Sequence, residues 1–180
     1  VVSGFEQLTL STAGTIALAN FGNNTFSTVS VGALAASTIS GIGAQTIQVT
    51  GVMTGALTLT YAGVVSGTSD SQKIEFKSAG ATTATTQIIA AGIETINLVS
   101  TDTDTTAHVN TVLLTVAAAT TLNVTGNAGV ILTNAGAGLI DAVQTVNASG
   151  LVLGAVTATG VTYAATYNAV GGVTTITGSN

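Results

Sequence analysis

The chain has 180 residues, 5% of them charged, a formal net charge of −5, and Lys73 and Lys77 as its only bases beside a single histidine. Without a basic cluster it cannot neutralise a run of phosphates, which excludes sequence-independent nucleic-acid binding and attraction to anionic lipid headgroups. No apolar run approaches the roughly 18 residues of a spanning helix, and with no Cys, Pro or Trp and few aromatics the core must come from Val, Ile, Leu and Ala.

Val1-Val2-Ser3-Gly4 carries neither an initiator Met nor the basic stretch of a signal peptide, so the chain is expected to be an internal piece of a longer one or a processed product. Leu8-Thr9-Leu10 opens a period-two alternation that marks a half-buried strand. After the turn signal Gly22-Asn23-Asn24, the Ala-rich piece Val31 to Ser37 could hold a helical turn or two. Alternation returns at Thr46 to Thr50, Ala56 to Tyr61, Lys73 to Lys77 and Glu94 to Leu98, with a turn at Ser66 to Asp70 and a second Ala-rich piece, Thr85 to Gly92. In the second half, strand-like pieces sit near 96–99, 111–116, 121–125, 130–133, 143–147, 151–156, 161–167 and 173–177, punctuated by Gly126-Asn127-Ala128-Gly129 and Gly171-Gly172. Branching at Cβ makes Thr, Val and Ile favour this extended geometry.

A spacing of roughly ten residues between short strands fits two all-β architectures: a parallel β-solenoid with two or three short strands per coil, or an antiparallel β-sandwich. Sandwich hairpins favour Asn-Gly or Asp-Gly turns, and neither dipeptide occurs. The solenoid is therefore the expectation and the sandwich the alternative, as one structural unit over 1–180 with a sub-boundary near 79–92. An irregular repeat agrees: Gly4-Phe5-Glu6-Gln7-Leu8-Thr9-Leu10 matches Gly92-Ile93-Glu94-Thr95-Ile96-Asn97-Leu98, and Ala142-Val143-Gln144-Thr145-Val146-Asn147-Ala148 is a degenerate third copy.

Few residues carry chemistry. Asp102 and Asp104 alternate with Thr101, Thr103 and Thr105, and carboxylates two apart can surround a hard cation such as calcium, with hydroxyls and carbonyls completing the shell. The plain alternative is a solvated loop. Asp70, in Gly67-Thr68-Ser69-Asp70-Ser71, reads as a turn cap or a similar ligand, and Asp141 as the start of a strand. Glu6 and Glu94, at matching repeat positions, read equally as calcium ligands between coils or as charges that discourage edge pairing. Lys73, Glu75 and Lys77 share one strand face, an exposed mixed-charge surface or the protection of an edge strand. His108 has no second His or Cys for a zinc site, and neither a nucleophile elbow nor a phosphate loop occurs. Three Asn-x-Ser/Thr triplets, at Asn23, Asn123 and Asn147, are what chance gives in so Asn- and Thr-rich a chain. An enzyme is not expected.

The Glu segments Phe5-Glu6 to Leu10 and Ile93-Glu94 to Leu98, the Thr/Asp run Thr101 to His108, the segment Ala119 to Gly126 and the ending Thr174 to Asn180 resemble the surface-layer and RTX-type secreted proteins of Gram-negative bacteria. The resemblance departs at one point: no Gly/Asp calcium nonapeptide occurs, since Gly171-Gly172-Val173 lacks the Gly and Asp that follow. It implies a β-rich protein of the cell surface or extracellular space, exported by type I secretion, whose copies assemble into a lattice held by calcium. Cell-envelope polysaccharide or lipopolysaccharide would then be reached through another region. The alternatives are an adhesin or glycan-binding module, for which Tyr61, Tyr163 and Tyr167 are the only tyrosines, and a pilus-like filament subunit.

Overall fold

The computed structural model describes residues 4–22, 25–32, 35–62, 67, 69–78, 86–102, 109–133, 143–152, 161–164 and 175–177. Its fifteen strands are, in chain order, β1 (Gln7–Leu10), β2 (Thr15–Ala17), β3 (Thr28–Val31), β4 (Ser37–Ile42), β5 (Thr46–Val49), β6 (Leu57–Tyr61), β7 (Ser71–Ser78), β8 (Thr86–Ala90), β9 (Thr95–Asp102), β10 (Val109–Thr115), β11 (Thr121–Gly126), β12 (Gly129–Thr133), β13 (Thr145–Leu151), β14 (Val161–Ala164) and β15 (Thr175–Thr177). Odd-numbered strands form one sheet, β1-β3-β5-β7-β9-β11-β13-β15, and even-numbered strands the other, β14-β12-β10-β8-β6-β4-β2. Every strand pairing is parallel.

A chain that visits two parallel sheets in strict alternation winds as a β-solenoid, with one strand per sheet in each coil. The antiparallel sandwich is excluded. Where they are described, the Ala-rich pieces are not helical: Val31 ends β3, Ser37 begins β4, and 86–90 are β8; residues 33, 34 and 85 lie outside the described residues. Inward-facing Ile88 and Ala90 join rows of apolar side chains from neighbouring coils, and that packing overrides alanine's helix preference. The only helical element among the described residues is a 3-10 turn, Leu18–Phe21. β13 covers the expected piece at 143–147 from Thr145 on and continues to Leu151, the first residue of the piece expected at 151–156, of which 153–156 lie outside the described residues. Of the expected sub-boundary near 79–92, residues 79–85 lie outside the described residues and 86–90 form β8, which pairs with both β6 and β10.

The core consists of in-register rows along the solenoid axis. In the odd sheet, Leu8, Val29, Ile47, Ile74, Leu98 and Val124 stack in one row, and Ile96, Leu122 and Val146 in another. In the even sheet, Ile16, Ile39, Leu59 and Ala90 stack likewise. Most of these side chains are fully enclosed. Burying one such Leu or Ile contributes about 2 kcal/mol, and each coil relies on its neighbours to cover it.

The abundance of Ser and Thr has a local cause. Where strands end, hydroxyls reach back to the carbonyl of the preceding coil: Thr50 Oγ1 to Val31 O (3.2 Å), Thr60 Oγ1 to Ile39 O (3.3 Å), Thr101 Oγ1 to Phe76 O (3.2 Å) and Ser40 Oγ to Ile16 O (3.4 Å). Each brings a donor to a carbonyl near a strand end; Val31 O also accepts from Thr50 N (2.8 Å).

The odd sheet widens abruptly. β5 has four residues and β7 has eight, and only Ile74, Glu75 and Phe76 pair with β5, whereas all of β7 pairs with β9. Lys73 and Lys77 stand at the two overhangs of this step. β7 is thus an interior strand and not an edge strand, and the mixed-charge outer face is the correct reading: Lys73 and Lys77 are exposed, while Ile74 and Phe76 are buried. Beneath the overhang, Gln72 occupies the row that continues as Ile96, Leu122 and Val146, yet it is polar and buried. Its Nε2 donates to Gln45 O (2.9 Å) and Lys73 O (2.7 Å), so one amide replaces backbone pairing that the shorter β5 does not provide. Gln72→Ala would take the side-chain donor away from both carbonyls and leave a cavity. We expect a loss of about 3 kcal/mol in urea-unfolding free energy; a loss below about 1 kcal/mol would show that the step does not depend on this amide.

Candidate functional site

The matching Glu positions of the sequence repeat lie at one kind of place, the corner where the chain turns into the odd sheet. The carbonyl of Glu6 accepts from Ser27 N (2.9 Å), Thr28 N (3.2 Å) and Ser27 Oγ (2.9 Å). Glu94 O accepts from Thr120 N (2.9 Å) and Thr121 N (3.1 Å), and Thr120 O from Gln144 N (2.8 Å) and Thr145 N (3.1 Å). The repeat therefore records corner geometry, in which one carbonyl receives two successive amides of the next coil.

Two of the five candidate calcium ligands meet at that corner. Asp70 and Glu94 precede β7 and β9 in adjacent coils. Asp70 O accepts from Glu94 N (3.2 Å) and Thr95 N (3.0 Å), while Glu94 Oε2 accepts from Asp70 N (2.9 Å). Asp70 Oδ2 is enclosed and has no hydrogen-bond partner among the described residues. Gly67 lies against it: a Cβ there would come 3.0 Å from Oδ2. The corner thus gathers two carboxylates, and the stack continues through Thr120 and Gln144.

The remaining candidates lie elsewhere. Asp102 ends β9, eight residues from Glu94 and so about 26 Å away along an extended strand. There it is clamped to the next coil, with Asp102 N donating to Asn127 Oδ1 (2.9 Å) and Asn127 Nδ2 donating to Asp102 O (2.9 Å). Glu6 is exposed before β1, three strand spacings from β7, or about 14 Å. Asp104, Asp141 and His108 lie outside the described residues. No group of three or more His, Cys, Asp or Glu comes together among the described residues.

Several further polar residues have definite places, among them Ser100, Asn97 and Gln48, which the sequence did not single out. Ser100 is wholly buried; it receives Asn110 Nδ2 on its Oγ (2.8 Å), and the same Oγ donates to Gly129 O (3.3 Å), which ties the end of β9 to the even sheet. On the outer face of the odd sheet, Lys73, Asn97, Asn123 and Asn147 share a register row beside Ser71, Thr95, Thr121 and Thr145. Asn123 Nδ2 donates to Asn97 Oδ1 (2.9 Å), and Gln48 Nε2 to Glu75 Oε2 (2.9 Å). The Thr-x-Asn spacing at 95–97, 121–123 and 145–147 was the available signal. Tyr61 is largely enclosed, its hydroxyl has no partner among the described residues, and burial pushes its phenol pKa upward, so it stays protonated at neutral pH.

Among the described residues, no helix is long and apolar enough to cross a membrane. No protein-family model matches this chain, and no curated protein matches it.

Proposed function

We propose that this chain is a structural part of a bacterial cell-surface layer: a rigid solenoid whose copies assemble side by side into a lattice outside the cell, with calcium bound at the corner formed by Asp70 and Glu94. The observation that carries this reading is the continuous register of its two sheets. It presents flat outer faces of Thr, Ser and Asn with fixed spacing along the axis, a shape suited to repeated lateral contact. The calcium part rests on the enclosed Asp70 Oδ2, which has no partner among the described residues, and on the Glu94 carboxylate that accepts from Asp70 N, hard oxygens that Thr hydroxyls and backbone carbonyls can supplement. The surface-layer and RTX resemblance of the Glu segments agrees with both parts.

Electron microscopy of the native material tests the lattice: a two-dimensional sheet supports it, and isolated particles or filaments count against it. For calcium, chelation with EGTA is expected to loosen the assembly, and Glu94→Gln is expected to weaken calcium's protective effect on thermal unfolding. Order unchanged after chelation would remove calcium from the proposal. A second reading, a glycan-binding module, draws on the Asn97–Asn123 amide row and its flanking Thr hydroxyls, which offer donors and acceptors to a polyhydroxylated ligand. Glycan-array binding would favour it.

A further inference from the structure

The two outer faces of the solenoid differ in charge. Every charged residue among those described (Glu6, Asp70, Lys73, Glu75, Lys77, Glu94 and Asp102) lies on a strand of the odd sheet or at the start of one. The seven strands of the even sheet carry none. Its described outer face is built largely of Thr and Ser, with Thr38 and Thr58 in one row, and is crossed by half-buried apolar side chains, among them Ile89, Leu113 and Ile131. Register places them on consecutive strands of the sheet: Ile89 beside Thr115, Leu113 beside Gln87, and Ile131 beside Thr111. They form a diagonal stripe with steps of about 8 Å.

We infer that the even-sheet face is the contact between copies, and that its occupant is the same face of a second copy. This deepens the lattice reading above and rests on it. Charge argues for the pairing. The outer face of the odd sheet carries Lys73, Glu75 and Lys77, so two odd-sheet faces would have to lose hydration from these charges on contact. Two even-sheet faces bring no charge together and desolvate only hydroxyl, amide and apolar groups. Charge depletion is also the compositional signature of an interface centre. Area sets the strength. Seven strands at about 4.8 Å, and about 16 Å wide, give a flat area on the order of 450 Å² on each copy, or about 900 Å² in all. That is the range of weak contacts, below the roughly 1,600 Å² of stable complexes. The pair is therefore a reversible dimer in solution; because a self-pairing face closes at two copies, the lattice is built from such pairs through further contacts.

Sedimentation equilibrium of the full chain tests this, with folding of each variant checked by circular dichroism. A reversible monomer–dimer equilibrium is expected, weakened at least tenfold by Leu113→Lys and by Thr58→Lys, which brings charges onto the facing pair; Asn97→Lys, on the odd sheet, should leave it unchanged. Thr58→Lys keeps the test decisive if Leu113→Lys does not fold, because Thr58 is a partly exposed threonine outside the core. A chain that stays monomeric at about 1 mM, far above the micromolar range of specific contacts, overturns the inference. So does a dimer that Asn97→Lys disrupts and Thr58→Lys does not. If microscopy shows a sheet while Thr58→Lys copies still assemble, the lattice reading stands and this interface alone falls.

Discussion

Gly126→Ala is expected to be the most damaging single-methyl substitution in the chain, lowering urea-unfolding stability by about 3–5 kcal/mol. Gly126 ends β11 at φ +120°, a backbone conformation that L side chains rarely adopt. A Cβ there would overlap the Ser100 carbonyl oxygen, with the carbonyl carbon 2.7 Å away. That carbonyl cannot move aside, because it accepts from Asn127 N (2.9 Å) and Ala128 N (3.1 Å), while the Ser100 side chain is held by Asn110 and Gly129. Strain and overlap can be separated experimentally. Gly4 also has a positive φ of 90°, but a Cβ there meets nothing within 4 Å. Gly4→Ala should therefore cost only the conformational part, about 1 kcal/mol. Equal losses at the two positions would show that the Ser100 contact is not what demands glycine at 126.

Ile74→Ala is expected to cost about 4 kcal/mol and to make unfolding less cooperative. Ile74 is fully buried and stacks between Ile47 and Leu98, in the strand where the odd sheet widens. A solenoid is close to a one-dimensional array, so weakening one interior interface uncouples the coils on its two sides. Ile16, half-buried and paired on one side only, is the contrasting position; Ile16→Ala should cost about 1 kcal/mol and leave a single transition. Denaturant unfolding followed by circular dichroism distinguishes the cases: two resolved steps in Ile74→Ala support the array picture, and one sharp step with the full loss shows that the stack folds as a single unit.

Strand chemistry was legible where alternation was clean. Lys73 to Lys77 and Thr121 to Thr125 read directly as strands, because apolar and polar side chains alternate there without interruption. β4 and β8 were harder. Ser37-Thr38-Ile39-Ser40 and Gln87-Ile88-Ile89-Ala90 have weak contrast between faces, because the outer face of the even sheet carries Ile89 where a polar residue would have signalled alternation. The parallel solenoid followed from the missing hairpin dipeptides, but the division into two alternating sheets depends on pairings between distant coils that no local window contains. The widening at β7 was invisible for a related reason. Gln72 sits in an inward row, and a buried glutamine looks like a surface residue until the shortness of β5 is known. Among the candidate ligands, the Glu6/Glu94 equivalence identified a true geometric position, whereas proximity did not follow from it. Glu94 meets Asp70, which no repeat links to it, because corner neighbours are set by coil length.

The coils differ widely in length while the rows stay aligned. Thr28 pairs with Thr46, Gln48 lies 27 residues from its partner Glu75, and Thr145 pairs with Thr175. The stack therefore fixes the phase of each strand and leaves the contour between strands free. One residue added inside a strand would turn every later side chain of that strand to the wrong face. A dozen added between strands would cost only the slowly growing entropy of a longer loop. Such a chain can diversify its corners, in length and in composition, without disturbing the even-sheet face through which copies would meet. Variation and assembly are thereby assigned to different parts of the same coil.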